Sequence, residues 1–280
     1  MPGPPLRVDQ QRAALIAAVE AEDDLGIELS VADAEFLVGW ENVVLATSDG
    51  WILRFPRGSQ QEYVREVAVL RRLAGRLPVP IPTIAATGKR RDFAVYRRLT
   101  GASLDLAAYD RADRQTRDRL ATSIARFLAA MHGALSGDEI AELGVPAFGA
   151  DGQPVVLPDE IAAAYGDRLA ALQEEQRSLA ARAHATVLLH DDLHPGNFVL
   201  DAPVGRLSGV WDFSCVSVGD PSQDFRYLVG DSMDLAERIA SAYAARTGRE
   251  IDLGLASVSL QLEEISDALE EGRDPTPYLT

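Results

Sequence analysis

Apolar residues recur at helical spacing from Val8 to Ala21, where Val8, Leu15, Ile16 and Val19 form one stripe. Beyond it the period shortens. Three strand-like runs follow, Ala34–Val38, Asn42–Thr47 and Trp51–Phe55, separated by Gly39-Trp40-Glu41 and by Ser48-Asp49-Gly50. An Asp-Gly pair between apolar runs is a strong hairpin signal. The helical period returns in SQQEYVREVAVLRRLAG, where Ser59 and Glu62 have the spacing of a capping box and Gly75 stands where a C′ glycine ends a helix. Thr83–Thr87 and Phe93–Arg98 fit two more strands, joined by Gly88-Lys89-Arg90-Arg91.

The character changes after Gly101. Arg111–His132 and Asp159–His184 have the pattern of long helices, with a Gly- and Pro-containing loop from Gly133 to Pro158 between them. Val187–Leu189 and Val199–Leu200 are short apolar runs bracketing a polar stretch, Gly209–Phe213 fits another short strand, and helical patterns run from Pro221 to the end. A small β-rich lobe over residues 1–100 followed by a larger helical lobe over 101–280 is an α+β order, with a hinge expected near 97–101. No internal repeat or low-complexity segment stands out beyond the alanine richness.

Composition narrows the function classes. At 280 residues the chain can bury a sizeable core, and 47% apolar with 25% charged residues is ordinary for a soluble globular protein. Its apolar runs fall well short of a bilayer span and its start, MPGPPLRVDQ, lacks the pattern of a secretory signal, so no membrane association is expected. The single cysteine, Cys215, leaves no internal disulfide and fits a reducing cytoplasm. A formal charge of −16 with no dominant basic patch argues against a nucleic-acid partner and is compatible with a cationic small ligand or with plain solubility.

The stretch Leu188–Leu200, LLHDDLHPGNFVL, carries the densest candidate chemistry. Phosphoryl transfer needs a group beside the attacking hydroxyl, oxygen ligands holding magnesium against phosphates, a cation on those phosphates, and a glycine-containing turn. Asp192, followed by four residues and then Asn197, supplies the first two parts, and Asp212 on WDFS supplies a second metal ligand. Magnesium prefers such hard oxygen donors to histidine nitrogens. The alternation of His190, Asp192 and His194 could instead suggest zinc, but His132 and His184 lack ligand spacing and that alternative leaves Asn197 and Asp212 without a role.

HDDLHPGN followed by VWDFSCVSVGDPSQDF resembles the catalytic and metal-binding segments of the aminoglycoside phosphotransferase-like kinases. In the N-terminal part, GWENVVLATSDGWILRFPRG followed by REVAVLRRL matches in order and spacing, so the resemblance runs from about Phe36 to Leu228. It implies a two-lobed protein-kinase-like fold and phosphorylation of a small-molecule hydroxyl, with Mg2+ and with ATP or GTP as donor. It identifies Asp192 as the base, five positions before Asn197, and places Asp191 where relatives usually carry glycine, as a loop carboxylate. His190 is implied to brace the loop, and His194 to pack or to bond within it.

Kinases of this fold grip the phosphates with a strand lysine paired to a helix glutamate. The only lysine here, Lys89, sits in a charged turn, and the resembling position in WILRFPR falls on Arg54. Strand alternation puts Ile52 and Arg54 on one face, so Ile52 could roof the base while the Arg54 fork binds phosphate oxygens. Arg57 is the alternative. Glu66 aligns with the partner glutamate, because Glu62 belongs to the capping box. Gly39 with Trp40, Glu41 and Asn42 would form the turn over the phosphates. YRRLTG is implied to be the hinge, with the backbone of Arg97 and Leu99 meeting the purine edge and Tyr96 at the inner end of the base pocket. A large phenol there would favour GTP at least as much as ATP.

Seven residues separate Asp212 from Asp220, too few for a regulatory activation segment, so constitutive activity is expected. Asp231, Asp234, Glu263 and Glu264 could line an acidic cleft for a hydroxylated, cationic acceptor, or form a solvated acidic helix face. An aminoglycoside is the favoured acceptor and a macrolide the second. A metabolic sugar or amino-alcohol kinase and a non-catalytic nucleotide-binding relative are the alternatives.

Overall fold

Residues 8–39, 42–150, 155–182 and 186–280 are described by the computed structural model. Trp40 and Glu41 of the expected phosphate turn, and His184 at the expected end of a helix, lie outside the described residues. The chain forms two compact units, Met1–Ala74 with Pro80–Thr100, and Gly75–Val79 with Gly101–Thr280.

In the first unit, helix α1 (Val8–Glu20) buries Leu15 and Val19. Strands β1 (Glu35–Val38), β2 (Asn42–Ala46), β3 (Trp51–Pro56), β4 (Ala86–Thr87) and β5 (Ala94–Arg97) form one antiparallel sheet in the order β1-β2-β3-β5-β4. Alternation decides its two faces. Leu45, Leu53, Phe55, Phe93 and Val95 pack with Leu15 and Val19 on one side. Ala46, Ile52 and Tyr96 cluster on the other, with Ile52 directly opposite Tyr96 and Arg54 opposite Ala94. Leu45, Leu53, Phe93 and Val95 are fully buried, each contributing about 1.5–3 kcal/mol.

Helix α2 (Gln60–Leu73) starts with the full capping box, in which the Ser59 hydroxyl accepts from Glu62 N and the Glu62 carboxylate accepts from Ser59 N. Gly75 follows its end at φ +75°, a conformation that glycine adopts without steric cost. Tyr63 and Val67 pack against Ala94 of the sheet, and the Tyr63 hydroxyl donates to Phe93 O at 2.8 Å. The strand expected at Thr83–Thr87 shrinks to Ala86–Thr87. Pro80 and Pro82 just upstream lack the N–H groups a longer ladder would need.

In the second unit, the helix expected over Arg111–His132 forms but begins three residues later, at Arg114. Helix α3 (Leu106–Arg111) stops before Asp113, whose side chain accepts from Thr116 N and starts α4 (Arg114–His132) afresh. The expected loop Gly133–Pro158 contains helix α5 (Gly137–Leu143), begun by a Ser136/Glu139 capping box and ended by Gly144 at φ +61°. Helix α6 (Asp159–Ala180) follows. Two short antiparallel ribbons then pair β6 (Val187–Leu189) with β9 (Ser217–Gly219), and β7 (Phe198–Leu200) with β8 (Leu207–Val210). The β9 strand is absent from the sequence-based expectation. Helices α7 (Arg226–Asp231), α8 (Met233–Thr247) and α9 (Leu253–Glu270) complete the unit. Its core joins α4 to α8, where Leu120, Ile124, Phe127, Leu128, Leu235, Ile239 and Tyr243 are fully buried, while α6 packs on α9 through Leu169, Leu172, Leu262 and Ile265.

Candidate active site

Strand β6 delivers the chain into the loop His190–His194, a single 3-10 turn over Pro195–Asn197 follows, and β7 carries the chain away. Pro195 suits the first position of that turn, where its missing N–H is not needed. The His194 ring caps it, Nδ1 accepting from Gly196 N at 3.1 Å. Asn197 is buried, and its Nδ2 donates both to Asp192 O at 2.8 Å and to Asp192 Oδ2 at 2.9 Å. One amide therefore fixes both the backbone and the carboxylate of Asp192. With Nδ2 so used, Oδ1 is the end of Asn197 suited to a metal.

Burial raises the Asp192 carboxyl above its ordinary value. His194, whose Nε2 is 3.8 Å from Asp192 Oδ2, and His190 pull it down, and Asp212 pushes it up. Asp212 lies two residues past the end of β8, not on a strand as expected. Trp211 N turns to Asn197 O at 3.2 Å, and Asp212 adopts φ +58°, which ends the ladder. Ser214 Oγ donates to Asp212 Oδ1 at 2.8 Å. Asp212 repels the Asp192 carboxylate, and two carboxylates with an amide oxygen are hard donors of the kind a divalent cation takes. His190 does not fit a zinc site: it is fully buried, packs at a tilt against Phe213 with ring centres 4.7 Å apart, and its Nε2 faces Trp211 O at 2.9 Å, so that nitrogen carries the proton.

Asp224 organises the loop from behind, and the sequence had given it no role. Its carboxylate accepts from His190 N at 3.1 Å, Asp191 N at 2.8 Å and His132 Nε2 at 2.9 Å. Burial alone would raise Asp224, but the His132 hydrogen bond, the nearby imidazoles and the loop amides outweigh it and hold the carboxyl below its ordinary value. The signal available was its place inside DPSQDF, flanked by Pro221 and Phe225 in a segment that turns out wholly buried.

Asp191 has φ +65°, tolerable for aspartate and easy for glycine, which gives a backbone reason for glycine at this place in the resembling pattern. Its carboxylate is 2.7 Å from Arg226 Nη1, and both side chains are largely buried. Arg226 also donates to Asp191 O and to Glu263, which in turn accepts from the Tyr227 hydroxyl. Burial pushes the Asp191 carboxyl up to about 6, against the pull of Arg226.

In the first unit, Arg54 and Glu66 meet in a buried ion pair, their side chains 7% and 11% exposed. Arg57 is exposed and donates to Gly39 O at 2.9 Å, so it braces the β1–β2 hairpin, whose Gly39 N donates to Asn42 O at 2.8 Å. Tyr96 packs beside Ile52 in the small apolar cluster on the Arg54 face. Arg97 stacks over Trp51 at 3.7 Å and donates to Asp49 O at 2.7 Å. Arg98 N donates to Gly50 O at 2.9 Å, continuing that edge toward Leu99.

The four carboxylates expected to form an acidic cleft do not share one environment. Asp234 accepts from Tyr109 at 2.6 Å and from Arg238 at 2.9 Å, with Arg117 at 3.5 Å, and these partners hold its carboxyl well below the ordinary range. Glu263 is committed to Arg226 and Tyr227. Asp231 is exposed, and burial of part of its carboxyl raises it while His194 pulls it down. Glu264 is half-buried on α9, and its charge helps to raise Asp267.

Several solved structures share this fold. The GDP and kanamycin complex of APH(2")-IIia superposes with a TM-score of 0.74 at 21% identity, over 95% of this chain and 94% of that one. The streptomycin-ATP-APH(2")-IIa ternary complex gives 0.64 at 16% identity, over 95% and 91%. Macrolide 2'-phosphotransferase MphH from Brachybacterium faecium gives 0.64 at 20% identity, over 96% and 98%. No curated protein sequence matches the chain. Among the described residues, no helix is long and apolar enough to cross a membrane. The model of the phosphotransferase enzyme family matches residues 34–259, most of the chain including both β3 and the Asp192 loop. The chain belongs to that family and is a phosphotransferase.

Proposed function

We propose that the protein transfers the γ-phosphoryl group of a purine nucleoside triphosphate to a hydroxyl of a small hydroxylated antibiotic, with an aminoglycoside as the first choice. The observation that carries this reading is the Asn197–Asp192 pair, which holds a carboxylate of raised pKa in a fixed position. Such a carboxylate can accept the proton of an acceptor hydroxyl as the bond to phosphorus forms. Asp212 and Asn197 Oδ1 would hold Mg2+, which when bound neutralises charge on the phosphate oxygens. Arg54, kept in place by Glu66, grips phosphate oxygens with its fork, and Ile52, Tyr96 and the backbone of Arg97 and Leu99 hold the purine. Relatives of similar fold are described with GDP or with ATP, so both donors are part of the proposal. A cytoplasmic setting, where such donors are available, belongs to it as well.

For the acceptor, Asp231 and Glu264 are the carboxylates best suited to an ammonium group, because Asp234 and Glu263 are already held by arginines. That commitment of two carboxylates favours one second reading, an uncharged or singly charged acceptor such as a macrolide or a sugar alcohol. A panel of aminoglycosides, macrolides and amino alcohols, scored by magnesium-dependent nucleotide consumption with each donor, tests the proposal. Turnover with an aminoglycoside supports the first reading. Turnover with only a metabolic sugar or amino alcohol overturns the antibiotic assignment, and no turnover with any hydroxyl acceptor overturns the proposal.

A further inference from the structure

The second unit contains a cavity of about 730 Å³ that has no part in the chemistry proposed above. Its charged lining is Arg114, Arg119 and Arg126 along α4, Arg206 just before β8, Arg246 in the last turn of α8, and the single carboxylate Asp118. Five guanidinium groups against one carboxylate is a reversal in a chain whose formal charge is −16. Asp118 pairs with Arg114 at 3.5 Å and also with Arg238, which is not part of the lining, at 2.5 Å. Among the described residues, Arg126, Arg206 and Arg246 have no carboxylate within ion-pair distance. Guanidinium groups left together without carboxylates cost stability through mutual repulsion, and a bound anion would relieve it.

Size and field select the anion. The volume lies within the range of about 300–1,000 Å³ usual for small-molecule pockets. Screening confines the field of the five arginines to roughly 8 Å at physiological salt, so a small multivalent anion feels them fully. A nucleic acid would extend past that distance over the acidic remainder of the protein and be repelled. Guanidinium forks match phosphate oxygens two at a time. Pro78, Val79 and Leu207 supply an apolar wall beside the arginines, on which a ring or hydrocarbon body can rest.

We propose that this cavity binds a small phosphorylated organic anion carrying at least two negative charges. It is separate from the metal ligands. In the β7–β8 ribbon, Leu200 pairs with Leu207 at the turn end, which borders the cavity, while Phe198 pairs with Val210 at the end that carries Asn197 and leads to Asp212. Three strand residues separate the two ends by on the order of 10 Å. The ribbon therefore joins the anion cavity to the catalytic loop without merging them.

Calorimetric titration of the full chain in magnesium-free, low-salt buffer tests this, with inorganic pyrophosphate, phenyl phosphate and methyl phosphate as probes. Saturable binding of one pyrophosphate is expected, weakening as salt rises, with phenyl phosphate bound more tightly than methyl phosphate because of the apolar wall. Arg126→Ala/Arg206→Ala should weaken pyrophosphate by roughly tenfold or more, the scale of losing charge-assisted hydrogen bonds. Arg119→Ala should act in the same direction. All three side chains are exposed, and an unchanged circular dichroism spectrum and melting midpoint would show the variants folded. Asp212→Ala should bind pyrophosphate as the parent does. No saturable binding by the parent, parent-like binding by the folded double variant, or loss of binding in Asp212→Ala overturns the proposal. Tighter binding of an oligoglutamate peptide than of pyrophosphate also overturns it, and makes the patch a protein-docking surface instead.

Discussion

Asp224 accepts the backbone N–H of Asp191 at 2.8 Å, and through that bond a fully buried carboxylate fixes the residue next to Asp192. The same carboxylate accepts from His190 N and His132, so one side chain on the Pro221–Phe225 turn sets the backbone from which Asp192 projects. Asp224→Ala leaves two loop amides and a histidine without their acceptor. A loss of about 3–5 kcal/mol is expected, the scale of breaking a buried charged network. Because the Asp224 carboxyl is lowered in the folded protein, its contribution is present above the unfolded pKa of about 3.9 and is lost as pH falls through the folded value. Urea unfolding of the parent and of Asp224→Asn should therefore differ most near neutral pH and converge below about pH 4.

Asp191 has the opposite sign. Its carboxyl is raised to about 6, so between the unfolded value of about 3.9 and that pH the folded chain holds a proton the unfolded chain has released. Stability is then lost as pH rises through this window, by about 3 kcal/mol in total. Asn at this position keeps the left-handed backbone accessible and removes the titration. The stability of the parent relative to Asp191→Asn should fall from pH 4 to pH 6 and stay level above it. A difference that is flat, or that rises, would show that Arg226 keeps Asp191 ionised throughout.

Arg54 and Glu66 form a buried ion pair, and in the proposed function it serves in place of a lysine–glutamate pair. Arg54→Ala should raise the Kd for nucleotide at least tenfold, since a charge-assisted bidentate contact is lost. Arg57→Ala, which loses the contact to the Gly39 carbonyl, should change it several-fold less. Fluorescence titration with a labelled nucleotide reads both. A larger loss from Arg57 would move the phosphate grip to that residue.

Much of this is legible in the sequence, for identifiable reasons. The Ser59/Glu62 box, the Asp49-Gly50 hairpin and the alternation of β3 are local signals, and local hydrogen bonds and packing obey them. The spacing of Asp192 and Asn197 was legible because one turn of chain brings them together. Helix α5 carried its own capping box, Ser136 with Glu139, which the surrounding glycines and prolines obscured. Asp224 was hidden because its work is long-range: His132 lies 92 residues away. The same holds for Asp234 and Glu263, whose sequence neighbours gave no hint that Tyr109, Arg226 and Tyr227 would claim them.

Tyr96 stands opposite Ile52 on the Arg54 face of the sheet, where a phenol at the inner end of a base pocket would push the purine outward. Guanine presents an oxygen acceptor beside N–H donors and can pair farther out than adenine. One hydrogen bond is worth about 1 kcal/mol net, so a preference of roughly fivefold for GTP is the expected scale. Steady-state kcat/KM for GTP and ATP, on the parent and on Tyr96→Met, measures it. A strong ATP preference unmoved by the substitution would contradict the role given to Tyr96.

The most direct test is turnover by Asp192→Asn, compared in one assay with Asp191→Gly and Asp212→Ala. Asp192→Asn should lower kcat by orders of magnitude while nucleotide affinity stays close to that of the parent, because it removes the acceptor of the hydroxyl proton and no phosphate contact. Asp191→Gly should lose far less turnover, its backbone being one glycine adopts freely. Asp212→Ala should lose magnesium-dependent nucleotide binding together with turnover. An Asp192→Asn enzyme with near-parent kcat, alongside an inactive Asp191→Gly, would contradict the assignment of Asp192 as the base.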